Sequence, residues 1–415
     1  MKFDTVIIGG GLAGLVCGIK LCRRGKRCAI VSSGQSALHF SSGSFDLLNY
    51  MPGGTPVSHP VASIDDLIAR KPFHPYSKLG KERFESLVKE AEGFFTEAGI
   101  DTVGSYKENH YRISAMGELK PTWKTLSHFA VAFSDGRLPW KKAAIFNMVG
   151  FLDFYPEFIA SELSKRGVSS EIRLFALPGL EDIQQNPSEF RSTNVAKALD
   201  KEEYKNQLIQ ILKDGSRESD VIIFPAFVGL SNDTILKEME DAVGKPILLL
   251  PTLPPSIAGI KTQQHLCRLF RKEGGTFMLG DTILKGDTEG NFLRRVFSKN
   301  HGDIPFVADH FVLATGSYFS QGLIASRDRV YEPVFDLDVD YLHDRQEWYN
   351  DDVFESQNYM QFGVRTNHRF QALRSGLPIE NLYVIGAGLE GFSPLKEGSG
   401  AGVSILTALH VADTI

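Results

Sequence analysis

The chain has 415 residues, 42% hydrophobic side chains and a formal net charge of -5 at pH 7. That length buries a sizeable core without disulfide or metal staples and has room for two or three domains. The mild acidic surplus argues against a nucleic-acid binder, and 4 cysteines make no disulfide framework.

At the start, Met1-Lys2-Phe3-Asp4 runs into an apolar stretch too short and too glycine-rich for a signal peptide. No run approaches the roughly 18 apolar residues of a membrane span, so a soluble cytoplasmic chain is expected. Residues 3–8 read as a strand, Gly9-Gly10-Gly11-Leu12-Ala13-Gly14 as a turn, 15–24 as a helix closed by Gly25, and 26–32 as a second strand. This is the opening βαβ of a nucleotide-binding sheet. A serine-rich loop follows over 33–48, then an irregular excursion over 51–75 with a short helix near 64–68. Residues 81–98 have helical spacing, with Phe84, Leu87, Val88 and Phe94 on one face.

Short alternating strands fill 101–149. Helices are expected over 151–167, 190–213, 233–243 and 262–272, and strands over 168–176, 221–226, 246–250, 276–279 and 292–297. The ending repeats the texture of the start. A strand over 309–314 closes at Thr315-Gly316, and one over 382–385 runs into Gly386-Ala387-Gly388. Gly398-Ser399-Gly400-Ala401-Gly402 then precedes a helix over 403–412. The pattern predicts an α/β chain with a Rossmann-like FAD/NAD(P)-binding flavoprotein fold and an inserted α+β substrate or cap domain. Residues 1–50 and 300–415 are assigned to a discontinuous flavin-binding domain that takes in parts of 151–299. Residues 51–150 form an irregular cap or insert, and 151–299 a mixed α/β region.

Gly9, Gly11 and Gly14 each have a physical role. The first allows a sharp turn off the strand, the second leaves room for a phosphate, and the third permits close helix–strand packing. The second strand ends at Ser32-Ser33, where a dinucleotide site commonly places an acid for the adenosine ribose. Either Ser32 or Ser33 binds the ribose there, or the ligand lacks an adenosine at that place, which weakens NAD and makes FMN thinkable beside FAD. Ser41, Ser42 and Gly43 could contact phosphate or a flavin edge, as could Thr315, Gly316 and Gly388. Gly400, Ala401 and Gly402 present backbone N–H groups at a helix start. Arg112, Lys120, Arg191 and Arg365 are candidates for an anionic substrate, and His39, His110 and His368 for the base that takes a hydroxyl proton. His74 belongs to the same basic set. Cys17, Cys22, Cys28 and Cys267 have no metal or cluster spacing, so no metal is expected.

The run from Phe3 to Gly14 and the run Gln35-Ser36-Ala37-Leu38-His39-Phe40-Ser41-Ser42-Gly43-Ser44 resemble the B subunit of bacterial anaerobic glycerol-3-phosphate dehydrogenases. So do Asn109-His110, Gly117-Glu118-Leu119-Lys120-Pro121-Thr122-Trp123 and the tail over 386–402, and the resemblance covers essentially the whole chain. The 35–44 run is its specific part. The resemblance implies a flavoprotein subunit with FMN, and FAD as runner-up. It implies a catalytic pair with the A subunit of such complexes. An iron–sulfur anchor, the C subunit, would hold the pair on the cytoplasmic face of the inner membrane. The implied reaction is oxidation of sn-glycerol 3-phosphate to dihydroxyacetone phosphate by hydride transfer to flavin. Electrons then pass to menaquinone for fumarate or nitrate respiration. The alternatives are a stand-alone FAD-dependent oxidoreductase of another substrate, or a non-catalytic assembly subunit with a vestigial nucleotide fold.

Overall fold

The computed structural model describes residues 1–186 and 188–415. Two compact units emerge: residues 1–37, 46–100 and 263–415 form the first, and 38–45 with 101–262 the second.

The first unit is built on five parallel strands in the order Thr276–Leu279, β2 (Cys28–Ser32), β1 (Lys2–Ile8), Phe306–Leu313 and Leu377–Val384. Val6, Ile7, Ile30, Phe311, Val312 and Leu382 are fully buried, as expected of parallel strands covered on both faces. Helix α1 (Leu12–Arg23) packs along the C-terminal helix Gly400–Thr414. On the side away from β1, strand Phe306–Leu313 is shared between two pairings. Its first residues meet an antiparallel hairpin, with Arg295 opposite Val307, and its last residues lie parallel to Leu377–Val384, with Leu313 opposite Val384. Ile8 is likewise opposite Leu313. Three neighbouring strands therefore end in register, and the turns that leave them emerge side by side.

The second unit holds its own four-stranded parallel sheet, ordered Ser169–Phe175, Lys142–Met148, Val221–Pro225, Ile247–Leu250. In chain order this is second, first, third, fourth, so the winding reverses between the first and third strands. Open α/β sheets commonly bind ligands at the carboxyl ends of strands at such a point. Here Phe151, Phe190 and Phe227 fill it: Phe151 stands edge-on to Phe190 at 5.6 Å and to Phe227 at 5.0 Å, and all three are buried. Phe146, Phe175 and Phe224 join them in the same core.

Several helix bounds differ from the sequence expectation: the helix expected over 262–272 begins at Ile257, and that over 190–213 is two helices, Ser192–Leu199 and Glu202–Gly215. The helix expected from 151 begins at Pro156, because Phe151 and Phe154 are apolar loop residues turned into the core, and Pro156 takes the first helical position. The last helix begins at Gly400, so its glycines form the first helical turn instead of leading into it.

Phe227→Ala removes a fully buried ring that packs against Phe151 and Phe224. It should cost about 3–5 kcal/mol, read as a lower urea midpoint with an unchanged slope.

Candidate functional site

The three glycine turns of the first unit lie close to neighbouring backbone. Gly9 has φ +116°, and a Cβ added to it would lie 2.2 Å from the Ala314 carbonyl oxygen. A Cβ on Gly14 would lie 2.0 Å from the Gly9 carbonyl oxygen. Gly386, with φ +74°, lies against Ala13 of α1, and its N–H donates to Thr407 Oγ1 at 3.1 Å. A Cβ on Gly388 would come within 3.1 Å of the Gly316 carbonyl oxygen. The approach of strand end to strand end thus demands these residues.

Gly11 differs. It caps α1 without a side-chain bond, and a Cβ there would meet nothing nearer than Ser36 Cβ at 3.8 Å. The chain's own packing does not require this glycine, and the space beside it faces the free N–H groups of the first turn of α1. No acidic side chain occupies that turn. An anion fits here, held by backbone N–H groups and the positive end of a 12-residue helix.

The start of the C-terminal helix is arranged in a related way. Gly400 and Ala401 are half-buried, and Ser399 makes no side-chain cap bond. Gly402 is committed elsewhere: its N–H donates to the Asp46 carbonyl at 2.9 Å, and a Cβ would lie 2.2 Å from the Tyr76 hydroxyl. Gly400 and Ala401 are thus the positions of that trio left to face a cofactor. The residues present therefore fit a flavin phosphate at α1 and a polar ring edge at the second helix start.

At the end of β2, the buried Ser32 donates from Oγ to the Gly34 carbonyl at 3.0 Å, and Ser33 is exposed. The nearest strand end does carry an acid, Asp281, but its oxygens accept from the Thr282 and Asn300 N–H groups and from His301 Nδ1. Thr315 and Gly316 sit in the second glycine turn, half-buried, with the Thr315 carbonyl accepting from Ser320 Oγ at 2.7 Å.

The remaining predicted residues divide by unit. In the first, His368 lies exposed in the turn closed by Phe370 N–H to Asn367 O, and Arg365 pairs with Asp340 at 2.6 Å. In the second, His39 sits in a short 3-10 helix, its carbonyl accepting from Ser256 N–H at 2.8 Å. Ser41 Oγ accepts from Gly43 N–H, Gly43 lies against the Phe129 ring, and Ser42 Oγ is 3.1 Å from Ser44 Oγ. Ser44 is opposite Thr125, whose Oγ1 is 2.9 Å from His110 Nε2. Burial, then the nearby Lys124 charge, pushes the His110 ring down to about 4. The strand that carries His110 also carries Arg112, whose Nε is buried without a partner among the described residues. Lys120 pairs with Glu118 at 2.8 Å, and Arg191 with the buried Asp153 at 2.9 Å.

Sequence reasoning missed Tyr76, Lys78, Glu390 and Glu397. His74, expected among the substrate cations, is fully buried, and its Nε2 lies 3.1 Å from Glu397. Lys78 pairs with Glu390 at 2.8 Å. A lysine, a tyrosine and two glutamates in ordinary local surroundings carry no signal of burial.

Parallel strands that end in glycine turns beside an open helix start define the α/β fold of FAD-binding flavoproteins, as the sequence pattern predicted. The family model for the FAD binding domain matches residues 4–403. Over 416 aligned residues the chain is 47% identical to the B subunit of anaerobic glycerol-3-phosphate dehydrogenase from Yersinia enterocolitica, covering 100% of this chain and 98% of that one. It is 44% identical to the protein of that name in Pectobacterium atrosepticum, over 100% and 99%. The corresponding figure for Actinobacillus pleuropneumoniae is 38%, over 100% and 99%. The chain belongs to the family of B subunits of anaerobic glycerol-3-phosphate dehydrogenase, as the motif resemblance implied. Among the described residues no helix is long and apolar enough to cross a membrane.

Gly9→Ala and Gly11→Ala should separate fold from site. The first forces a clash with the Ala314 carbonyl and should cost more than about 3 kcal/mol or abolish folding. The second should shift stability by less than about 1 kcal/mol while lowering flavin retention at least tenfold. Thermal melts and bound-flavin absorbance read both. His110 supplies a pH prediction. Its folded form stays neutral while the unfolded ring protonates near 6.5, so the unfolded chain binds the extra proton between those values. Stability should therefore fall as pH drops from about 6.5 toward about 4, by up to about 3 kcal/mol. Urea titrations of His110→Gln should show a shallower loss over that window than the wild type.

Proposed function

We propose that the chain serves as the flavoprotein subunit of an anaerobic glycerol-3-phosphate dehydrogenase. It takes part in oxidising sn-glycerol 3-phosphate to dihydroxyacetone phosphate and pairs with the A subunit. It reaches the membrane and the quinone pool through the iron–sulfur C subunit. The observation that carries this reading is the likeness to chains of that name, at 47% identity over 100% of this chain and 98% of the relative. Its flavin is FMN. The missing acid at the end of β2, and the commitment of Asp281 to its own turn, support a cofactor without the adenosine half.

A bound flavin would supply a carrier for the electrons taken from the substrate. The chain's own share is positioning. Gly11 would leave room for the phosphate, the N–H groups of Leu12, Ala13 and Gly14 would hold it, and those of Gly400 and Ala401 would hold a polar edge of the ring. The substrate-oxidising step is assigned chiefly to the A subunit, with this chain as flavin partner and electron conduit. Three of the four predicted substrate cations, Lys120, Arg191 and Arg365, already carry a carboxylate partner. Arg112 stays as the guanidinium suited to an anion.

Cofactor extraction and chromatography of the gently purified chain should yield FMN. FAD would overturn the assignment of the mononucleotide, and no flavin would favour a structural assembly role. Adding glycerol 3-phosphate to the purified chain without the A subunit should leave its flavin absorbance unchanged. Bleaching would overturn the conduit assignment.

A further inference from the structure

Three side chains from one five-residue stretch, at alternating positions, reach three points of the segment that carries the last glycine turn and the start of the C-terminal helix. His74 caps the short helix Pro75–Leu79 by accepting the Tyr76 N–H on Nδ1 at 2.9 Å. With Nδ1 an acceptor, Nε2 carries the proton and donates to Glu397 Oε2 at 3.1 Å. Ser399 Oγ donates to the same oxygen at 3.2 Å. Tyr76 donates from its hydroxyl to the Leu47 carbonyl at 2.7 Å, and that hydroxyl occupies the space a side chain at residue 402 would need. Lys78 Nζ donates to Glu390 Oε1 at 2.8 Å, to Thr366 Oγ1 at 2.9 Å and to the Thr366 carbonyl at 3.1 Å, which uses all three of its protons.

These groups are removed from solvent: His74, Tyr76 and Ser399 are 0% exposed and Glu397 is 3% exposed. Burial of ionic groups carries a desolvation cost that close packing of apolar residues would avoid, so such an arrangement is weak evidence for stability alone. What it provides is a fixed position. Glu390 closes the third glycine turn, and Glu397 with Ser399 lead directly into Gly400 and Ala401.

We infer that His74, Tyr76 and Lys78 act together as positioning residues. They clamp the segment over 390–402 so that the N–H groups of Gly400 and Ala401 are set for the flavin. The inference rests on the flavin reading above, and its test separates the two. The control is Arg83→Ala, which breaks the pairs of Arg83 with Asp413 and His410 at the far end of the same C-terminal helix.

The double variant Lys78→Met/Glu390→Met removes both charges together and leaves none buried alone. Tyr76→Phe removes one hydroxyl and keeps the ring. In the flavin-free full-length chain, amide hydrogen exchange over 386–402 should quicken at least tenfold in the double variant and measurably in Tyr76→Phe. It should stay at the wild-type rate in Arg83→Ala. Titrated with FMN and separately with FAD, the double variant should bind the preferred flavin at least tenfold more weakly than the wild type, with a shifted absorbance maximum. Arg83→Ala should match the wild type in both.

Wild-type exchange rates in the double variant and in Tyr76→Phe would overturn the clamp. Faster exchange with unchanged flavin affinity and spectrum would overturn its role toward the flavin. A wild-type chain that binds neither FMN nor FAD would overturn the flavin reading itself, while the exchange data would still decide whether the clamp exists.

Discussion

The organisation of the first unit depends on a contact that excludes side chains: the backbone of Gly9 against the carbonyl of Ala314, where an added Cβ would lie 2.2 Å from the oxygen. Two parallel strands can finish this close together only when the residue that leaves the first has no Cβ and can take φ +116°. The same logic propagates outward. Gly14 presses α1 onto the Gly9 carbonyl, Gly386 meets Ala13, and Gly388 meets the Gly316 carbonyl. Each contact brings another turn to the same edge of the sheet, and together they place unencumbered backbone donors there. Gly11 then stands out as the glycine that this packing does not require.

The second unit uses the same kind of scaffold to a different end. Its sheet is also parallel and also reverses its winding, yet Phe151, Phe190 and Phe227 occupy the place where a ligand would enter. Glycine leaves space at a strand end and phenylalanine fills it. A shared architecture therefore implies no shared function; the few residues at the carboxyl ends of the strands decide. Buried polar groups show the same division of labour. Lys78 spends every proton on fixed acceptors, whereas Arg112 keeps a buried Nε with none among the described residues.

Much of this was legible in order along the chain. The opening turn could be read because its three glycines, its strand and its helix are consecutive, and each glycine's role follows from local spacing. The closing tail was legible as texture but not in detail. Gly402 looked like an open backbone donor, and the structure gives its N–H to Asp46 and its missing side chain's place to Tyr76. The 151–167 segment looked helical from its first residue because a loop that buries Phe151 and Phe154 has the same apolar spacing as a helix face.

The glycine turns, the parallel strands and the family follow from local order along the chain, because these rest on neighbours within a few residues of one another and on motifs that keep their order. Tertiary contacts show which polar residues are buried and paired. His74 read as a candidate substrate cation, yet its partner Glu397 stands 323 positions away, and Lys78, which carried no signal in the sequence, meets Glu390, 312 positions away. Burial and pairing are properties of such distant contacts. A linear pattern carries the residue type but not the neighbour that neutralises it.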